Sequence, residues 1–204
     1  MLHGYSDRIH HALAFTAKHY PEPVSRYDDH SCLIRASSVA VILARYDADE
    51  PTIVAAILKQ LVDACPHERQ ESLTQHLERK FGAQVAAAVR EAMEPRFDVL
   101  GRERTWKACR FEYMARLAGA APRSVDVVVA HEMHQLGSAL VSIRRLGVEY
   151  LEVAGLPHSD DVRWWHRTLL DTLESHAAWR RAEMCQALIR LTEDLESRLP
   201  DRGL

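Results

Sequence analysis

The chain has 204 residues, of which 47% are hydrophobic and 27% are charged, and its formal net charge at pH 7 is -3. These values are those of a globular domain with a real core, and they exclude a largely disordered chain and a strongly basic nucleic-acid-binding protein. No apolar run approaches the ~20 residues of a membrane span, and the N-terminus lacks the pattern of a signal peptide. We therefore expect a cytoplasmic protein with one domain over residues 1–199, a frayed tail over 200–204, and no nucleic-acid or membrane partner.

The four cysteines lie far apart in the sequence and form no CxxC pair. This spacing favours reduced thiols, which act as small hydrophobic residues in a core, over a disulfide or a zinc site. The four are Cys32, Cys65, Cys109 and Cys185.

Helical periodicity dominates the N-terminal half of the chain, and strand-like alternation is almost absent. Ser6 is placed to cap a first helix of about 12 to 14 residues, and the Pro-rich stretch after Tyr20 predicts a loop. A second helix ends at "DADEP", where Pro51 suits the first turn of a third helix. The stretch "LTQHLERKFGAQVAAAVREAM" predicts two helices that meet at Gly82, and Pro95 ends the second of them.

The C-terminal half continues in the same pattern. One helix is predicted from about Glu103 to Leu117, and a long one begins near Ser124. The turn "GLPHSDD" supplies Ser159 or Asp160 as the cap of the next helix. The segments "VRWWHRTLLDTL" and "AEMCQALIRLTEDLESRL" predict the last two helices. The expected fold is all-α, a single compact domain of about eight to ten helices, and their unequal lengths exclude a regular up-down bundle.

The third predicted helix carries two polar residues in an apolar setting. Its stretch "AAILKQLVDA" spans residues 55–64 and places Lys59 and Gln60 side by side in the middle. The broad apolar face of this helix predicts a position near the core. A buried ammonium group requires a partner or a site, so this pair is the starting point for any statement about function.

Seven stretches occur in an order and spacing that resemble a known family. They are "ALAFTAKH", "SSVAVIL", "IVAAILKQLVDA", "LERKFGAQVAAAV", "WKACRFEYMARL", "VVVAHEMHQLGSAL" and "VRWWHRTLLDTL". Together with the Trp106 to Tyr113 spacing and the pair Trp164 and Trp165, they resemble the stand-alone HD-domain phosphohydrolases related to the hydrolase half of the RelA/SpoT alarmone enzymes. The resemblance covers roughly residues 8–175. It implies an all-α HD-like fold and metal-assisted hydrolysis of a phosphate or pyrophosphate ester.

The resemblance also implies where the metal ligands of the family would lie. The family holds a divalent metal, usually manganese, with one His, an adjacent His-Asp pair and a distant Asp, ligand types that suit such a metal. In this sequence Arg35 stands for the first His, Lys59 and Gln60 stand for the pair, and His131 stands for the distant Asp. Arginine and protonated lysine donate no lone pair to a metal. We therefore expect no metal cofactor at this position.

Neighbouring positions of the family pattern differ as well. The Glu-Asp pair that assists catalysis in the family corresponds to Asp63 and Ala64. Among the polar positions of the family's Ala-Asp-Lys-x-His-Asn run only His134 matches, while Glu132 stands for Lys and Gln135 stands for Asn. The scaffold is therefore expected to persist around a cleft with changed chemistry.

The first interpretation is a degenerate HD-domain protein, a pseudo-phosphohydrolase that acts as a binding or regulatory module for a phosphorylated nucleotide or a protein partner. Arg35 and Lys59 can hold a phosphate group without a metal. Alternatively, Lys59 pairs with Asp63 one turn later and Arg35 pairs with another acid. This interpretation favours a protein without enzymatic activity. The residues expected at the cleft are Arg35, Lys59, Gln60, Asp63, His131, His134 and Gln135.

A second interpretation keeps hydrolysis in a rearranged site. His131 and His134 lie three residues apart on one predicted helix face, and histidines at this spacing can share a metal. With Asp63 and His30 they would hold Mn²⁺ and hydrolyse phosphate or pyrophosphate esters of guanosine nucleotides.

Two further features bear on function through their exposure. Asp28, Asp29 and His30 form a turn and a helix cap, or else a rim that contacts a ligand.

A third interpretation is a structural or dimerisation module with a closed cleft, which an exposed apolar face on the last helix would favour. The candidate residues of that face are Leu188, Leu191 and Leu195.

Overall fold

The computed structural model describes residues 6–20, 32–150 and 159–199. Within these residues the chain forms nine α-helices and no β-strand, and extended pairing is limited to one antiparallel bridge between Phe97 and Glu103. The all-α fold predicted from periodicity is confirmed. The helices are α1 (Asp7–His19), α2 (Cys32–Arg45), α3 (Glu50–Asp63), α4 (His67–Phe81), α5 (Ala83–Ala92), α6 (Trp106–Leu117), α7 (Pro122–Leu146), α8 (Ser159–Ser175) and α9 (Ala182–Glu196).

Three of the predicted helix boundaries are confirmed. Ser6 caps α1, and its hydroxyl accepts a hydrogen bond from the backbone N–H of Ile9 at 3.3 Å. Asp49 caps α3, Glu50 is its first helical residue, and Pro51 follows in the first turn. Gly82 joins α4 to α5 with a φ of 94°, a conformation that side-chain-bearing residues rarely adopt.

The predicted start of α6 at Glu103 is wrong, because α6 begins at Trp106. Glu103 pairs with Phe97 in the antiparallel bridge, so its backbone is extended. Thr105 then caps the helix by accepting a hydrogen bond from the N–H of Ala108 at 3.4 Å. A local capping interaction thus overrides the helical pattern of the preceding residues.

Two other helices begin slightly earlier than predicted. Helix α7 begins at Pro122 rather than near Ser124, because the fixed φ and missing N–H of proline suit the first helical position. Helix α8 already includes Ser159 and Asp160, which the sequence placed before it as candidate caps.

Helix α3 lies at the centre of the packing. Every residue from Thr52 to Val62 is buried, and α3 contacts α1, α2, α4, α5 and α7. The long helix α7 in turn packs against α2, α3, α5 and α9. Helices α3 and α7, which carry most of the candidate site residues, therefore lie at the centre of the core.

The last helix has no exposed apolar face at the three candidate residues. Leu188 and Leu195 are 0% and 3% exposed, and Leu191 is half-buried against the core. The physical reason is that α9 packs along α7, which covers its apolar side. The feature that would have favoured the third interpretation is thus missing from this helix.

Several other predictions concern residues that the structure does not describe. Asp28, Asp29, His30 and the tail over 200–204 lie outside the described residues, and the extent of the single domain stays a prediction. No described helix is both long enough and apolar enough to cross a bilayer. The free thiols among the described side chains are Cys65, Cys109 and Cys185.

Candidate functional site

Lys59 is a buried cation with a partner on its own helix. Its side chain is 1% exposed, and its Nζ atom lies 2.5 Å from Oδ2 of Asp63, whose side chain is 19% exposed. An ammonium group buried without a counter-charge would be strongly destabilising. Of the two sequence interpretations of Lys59, the ion pair with Asp63 is the one that the structure contains.

Gln60 points to the neighbouring helix and joins α3 to α7. Its Nε2 atom lies 3.2 Å from Nδ1 of His131, and Nε2 of Gln135 lies 2.8 Å from the other ring nitrogen of His131. A neutral imidazole has one N–H donor and one acceptor nitrogen. One of the two amides therefore donates an N–H to the ring, and the other is turned so that its oxygen accepts the ring N–H. Both ring nitrogens of His131 are therefore engaged by amide groups.

The environment of His131 keeps its imidazole neutral. Burial is the largest cause that holds the pKa of His131 well below its usual value of 6.5. The nearby positive charges of Lys59 and Arg35 lower this pKa further, and smaller effects come from His134 and Arg110. His131 lies between two packed helices and is only 6% exposed.

The remaining predicted residues lie around this core. Arg35 is half-buried on α2 and is close enough to lower the pKa of His131. His134 is half-buried and Gln135 is exposed, both on α7. The structure thus brings Lys59 and Asp63 together in one contact, and Gln60, His131 and Gln135 together in a second, with Arg35 and His134 beside them.

A second group of buried charges lies next to this site and was not predicted. Nη1 of Arg110 donates to Oε1 of Glu94 at 2.8 Å, and the guanidinium lies 4.2 Å from the centre of the Trp165 ring. The indole N–H of Trp165 donates to Glu132 at 3.2 Å. Burial opposes the ionisation of Glu94, but the charges of Arg110 and Lys59 outweigh it and lower its pKa. Burial raises the pKa of Glu132.

The signal that could have revealed this group is present on α6. Trp106, Arg110 and Tyr113 are spaced by four and three residues, which places them on one helix face. Tyr113 is buried, donates to the carbonyl of Ala92 at 2.7 Å and stacks on Trp165 with 6.2 Å between ring centres. An arginine between two aromatic residues on a buried face indicates a buried ion pair, because the charge needs a partner.

The donor chemistry at these positions does not suit a divalent cation. The Lys59 ammonium group offers only hydrogen-bond donors, and both ring nitrogens of His131 already face amide groups. In the part of the chain that the structure describes, no group of three or more His, Cys, Asp or Glu side chains is placed to share a metal ion. His131, His134 and Asp63 therefore form no such group there, and His30 lies outside the described ranges.

Comparisons with known proteins point to one fold. A sequence model described as "HD domain" matches residues 12–139. The structure of lmo0812 from Listeria monocytogenes EGD-e is similar, with a TM-score of 0.65 and 17% identity over 80% of this chain and 99% of that chain. So is a metazoan ortholog of SpoT, described as hydrolysing ppGpp and as playing a role in starvation responses. Its TM-score is 0.68 and its identity 17%, over 94% of this chain and 97% of that chain. A comparison with curated proteins finds no match.

Proposed function

The chain belongs to the HD domain family, and we propose that it is a member that has lost hydrolysis and acts by binding. Its fold is that of a phosphohydrolase, similar to the fold of a ppGpp hydrolase. One observation carries the proposal: the residues at the expected ligand positions are a lysine, an amide and a histidine that bond to other protein side chains. Lys59 pairs with Asp63, and Gln60 bonds to His131.

These contacts perform the structural work that a metal would otherwise perform. A metal ion neutralises carboxylates and joins the helices that supply its ligands, and its loss leaves buried polar groups without partners. Here the Lys59 ammonium neutralises Asp63, while the amide of Gln60 satisfies a ring nitrogen of His131 across the helix interface. Asp63, which corresponds to a residue that assists catalysis in the family, is held by this ion pair.

A phosphorylated nucleotide is the ligand that the charges support best. The positive charges of Lys59, Arg35 and Arg110 all reach His131 and lower its pKa. Lys59 is neutralised by Asp63 and almost fully buried, so a phosphate group would meet Arg35 first. Guanidinium groups bind phosphate through paired charge-assisted hydrogen bonds and need no metal to do so. A protein partner at the same cleft is the alternative that the binding experiment has to separate.

The test compares the natural chain with a variant in which the family ligands are restored. Each form is loaded with Mn²⁺, desalted and analysed for metal, and each is assayed for hydrolysis of ppGpp. We expect no stoichiometric manganese and no hydrolysis for the natural chain. A near-stoichiometric metal content or metal-dependent hydrolysis by the natural chain would contradict the proposal. The restored variant combines Arg35→His, Lys59→His, Gln60→Asp and His131→Asp.

The restored variant also shows whether the ligand positions have been identified correctly. We expect it to retain manganese after desalting, because imidazole and carboxylate groups then replace the cation and the amide. Circular dichroism checks that its helix content is unchanged. The single substitution Arg45→His, on the exposed end of the same helix as Arg35, is the matched control that gains no metal.

A further inference from the structure

A pocket separate from the candidate site lies where the ends of α1 and α3 meet helix α4. Its volume is about 390 Å³, which falls within the roughly 300–1,000 Å³ of small-molecule sites. None of the residues predicted at the cleft around His131 lines this pocket. We call it the α1–α4 pocket.

One part of the lining of the α1–α4 pocket is apolar. It consists of Leu61 near the end of α3, Pro66 before α4, and Leu73 on α4. Leu61 is buried, and Leu73 is partly buried and packs against the core, so both side chains are held in place by the fold. Aliphatic or aromatic groups of a ligand gain free energy when they leave water to contact such a surface.

The other part of the lining is basic. His19, the last residue of α1, lines the pocket together with Arg69 and His76 of α4. Arg69, Leu73 and His76 are spaced by four and three residues, so they share one face of α4. Among the described residues no aspartate or glutamate lines the pocket. A guanidinium group and two imidazoles offer N–H donors to an anion beside the apolar walls.

The acidic residues in the middle of α4 are directed to another helix. Glu78 pairs with Arg90 of α5 at 2.9 Å, and Glu71 makes a longer contact of 4.0 Å with the same guanidinium group. Arg69 forms no ion pair with another described residue. The positive charge of Arg69 is therefore not neutralised by the acidic residues of its own helix.

The thiol of Cys65, which also lines the pocket, adds no negative charge. Burial is the largest cause that raises the pKa of Cys65. The charge of Arg69 lowers this pKa and that of Glu68 raises it, so both charges lie close to the thiol. Because Cys65 remains a neutral thiol, the charge that lines the pocket is positive.

The two histidines are positioned by one buried ring. Phe15 of α1 is 7% exposed, and its ring centre lies 4.3 Å from that of His19 and 5.8 Å from that of His76. These contacts hold imidazoles from two different helices at the same pocket. Groups that are already ordered lose little conformational entropy when a ligand binds.

We propose that the α1–α4 pocket binds a small amphipathic anion, a molecule with one carboxylate or phosphate group and a short apolar body. The anionic group contacts Arg69 and the two histidines, and the body packs against the apolar walls. A purely apolar ligand would leave these basic groups without a partner, and a bare anion would leave the apolar walls in water. The inference concerns a pocket other than the cleft around His131 and does not depend on the proposed function.

The first experiment titrates the full chain with a matched set of probes in a calorimeter. Octanoate and octyl phosphate carry the two head groups, acetate lacks the apolar body, and 1-octanol lacks the charge. We expect saturable binding of one molecule of octanoate or octyl phosphate per chain, and the tighter of the two identifies the head group. Shortening octanoate to hexanoate should weaken binding by up to roughly 15-fold, because two methylene groups are no longer buried. If neither anion binds, or if 1-octanol binds as tightly as octanoate, the proposal is overturned.

The second experiment locates the bound anion with variants. Arg69→Ala should weaken binding of the octyl anion roughly tenfold or more, because a charge-assisted hydrogen bond is lost. The matched control is Arg79→Ala, which removes another exposed arginine of α4 that does not line the pocket. Arg35→Ala tests the other cleft, and both of these variants should bind as the natural chain does. Circular dichroism checks that the helix content of each variant is unchanged. Unchanged binding by Arg69→Ala, or an equal loss in Arg79→Ala or Arg35→Ala, contradicts binding in this pocket.

Discussion

Gln60 and His131 are separated by 71 positions in the sequence, yet their side chains meet at 3.2 Å across the α3–α7 interface. The family resemblance places both at positions of metal ligands. A metal at this point would join the two helices through its coordination bonds. The hydrogen bond joins the same helices through protein groups, which explains how the fold persists with altered residues at these positions.

Loss of the Gln60 amide should destabilise the protein. The substitution Gln60→Ala leaves a buried ring nitrogen of His131 without its partner, and we expect a loss of roughly 1–3 kcal/mol in the free energy of unfolding. Urea denaturation measures this loss. The control is Gln75→Ala, because Gln75 is exposed and bonds to Glu71 on its own helix. Equal stability losses in the two variants would show that the Gln60 contact is not structural.

The ion pair of Lys59 makes a double substitution less harmful than a single one. Asp63→Ala leaves a buried ammonium group without its counter-charge, and we expect a loss of roughly 2–3 kcal/mol, below the range for fully buried pairs since Asp63 is partly exposed. Lys59→Met combined with Asp63→Ala removes both charges and should restore most of the lost stability. Thermal and urea unfolding measure both variants. A double variant that is less stable than Asp63→Ala alone would show that Lys59 has a stabilising partner other than Asp63.

Two buried histidines should make stability depend on pH. Burial is the main cause that lowers the pKa of His166 from 6.5 to about 4, and it holds the pKa of His131 well below 6.5. Between about pH 6.5 and 4 the unfolded chain binds protons at these positions and the folded chain does not, so their contribution to the free energy of unfolding falls as the pH falls, while the raised pKa of Glu132 acts in the opposite sense. Each histidine contributes up to ~1.4 kcal/mol per pH unit.

The substitution His166→Asn isolates one of these contributions. The variant should lose less unfolding free energy than the natural chain over the same acid range, because one of the two proton-binding imidazoles is gone. Urea denaturation at several pH values measures the slopes. Identical slopes for the variant and the natural chain would mean that His166 is protonated equally in the folded and unfolded states.

Local sequence signals predict most of the helices, though not every helix start, and they do not predict the contacts between helices. Periodicity and caps placed α1 and the α4–α5 junction, and spacing alone suggested the pair of Lys59 with Asp63 four residues later. The ion pair of Arg110 with Glu94 was not predicted, because its partners lie on opposite sides of the α5–α6 turn and no periodic pattern connects them. The burial of His131 likewise depends on the packing of α7 against α3, which a helix face does not reveal.

Arg35 is the residue whose removal should weaken binding of a phosphorylated nucleotide. We expect ppGpp to bind the natural chain without metal, and Arg35→Ala to lose roughly 1.5–3 kcal/mol, which is about 10- to 150-fold in the dissociation constant. Calorimetric titration in the presence of a chelator measures both, and Arg45→Ala on the exposed end of α2 should bind as the natural chain does. Equal weakening by Arg45→Ala would indicate attraction to the general charge of α2. If the natural chain does not bind ppGpp, the nucleotide hypothesis fails at this cleft and a protein partner becomes the remaining occupant, while the loss of hydrolysis is still judged separately by the metal and activity assays.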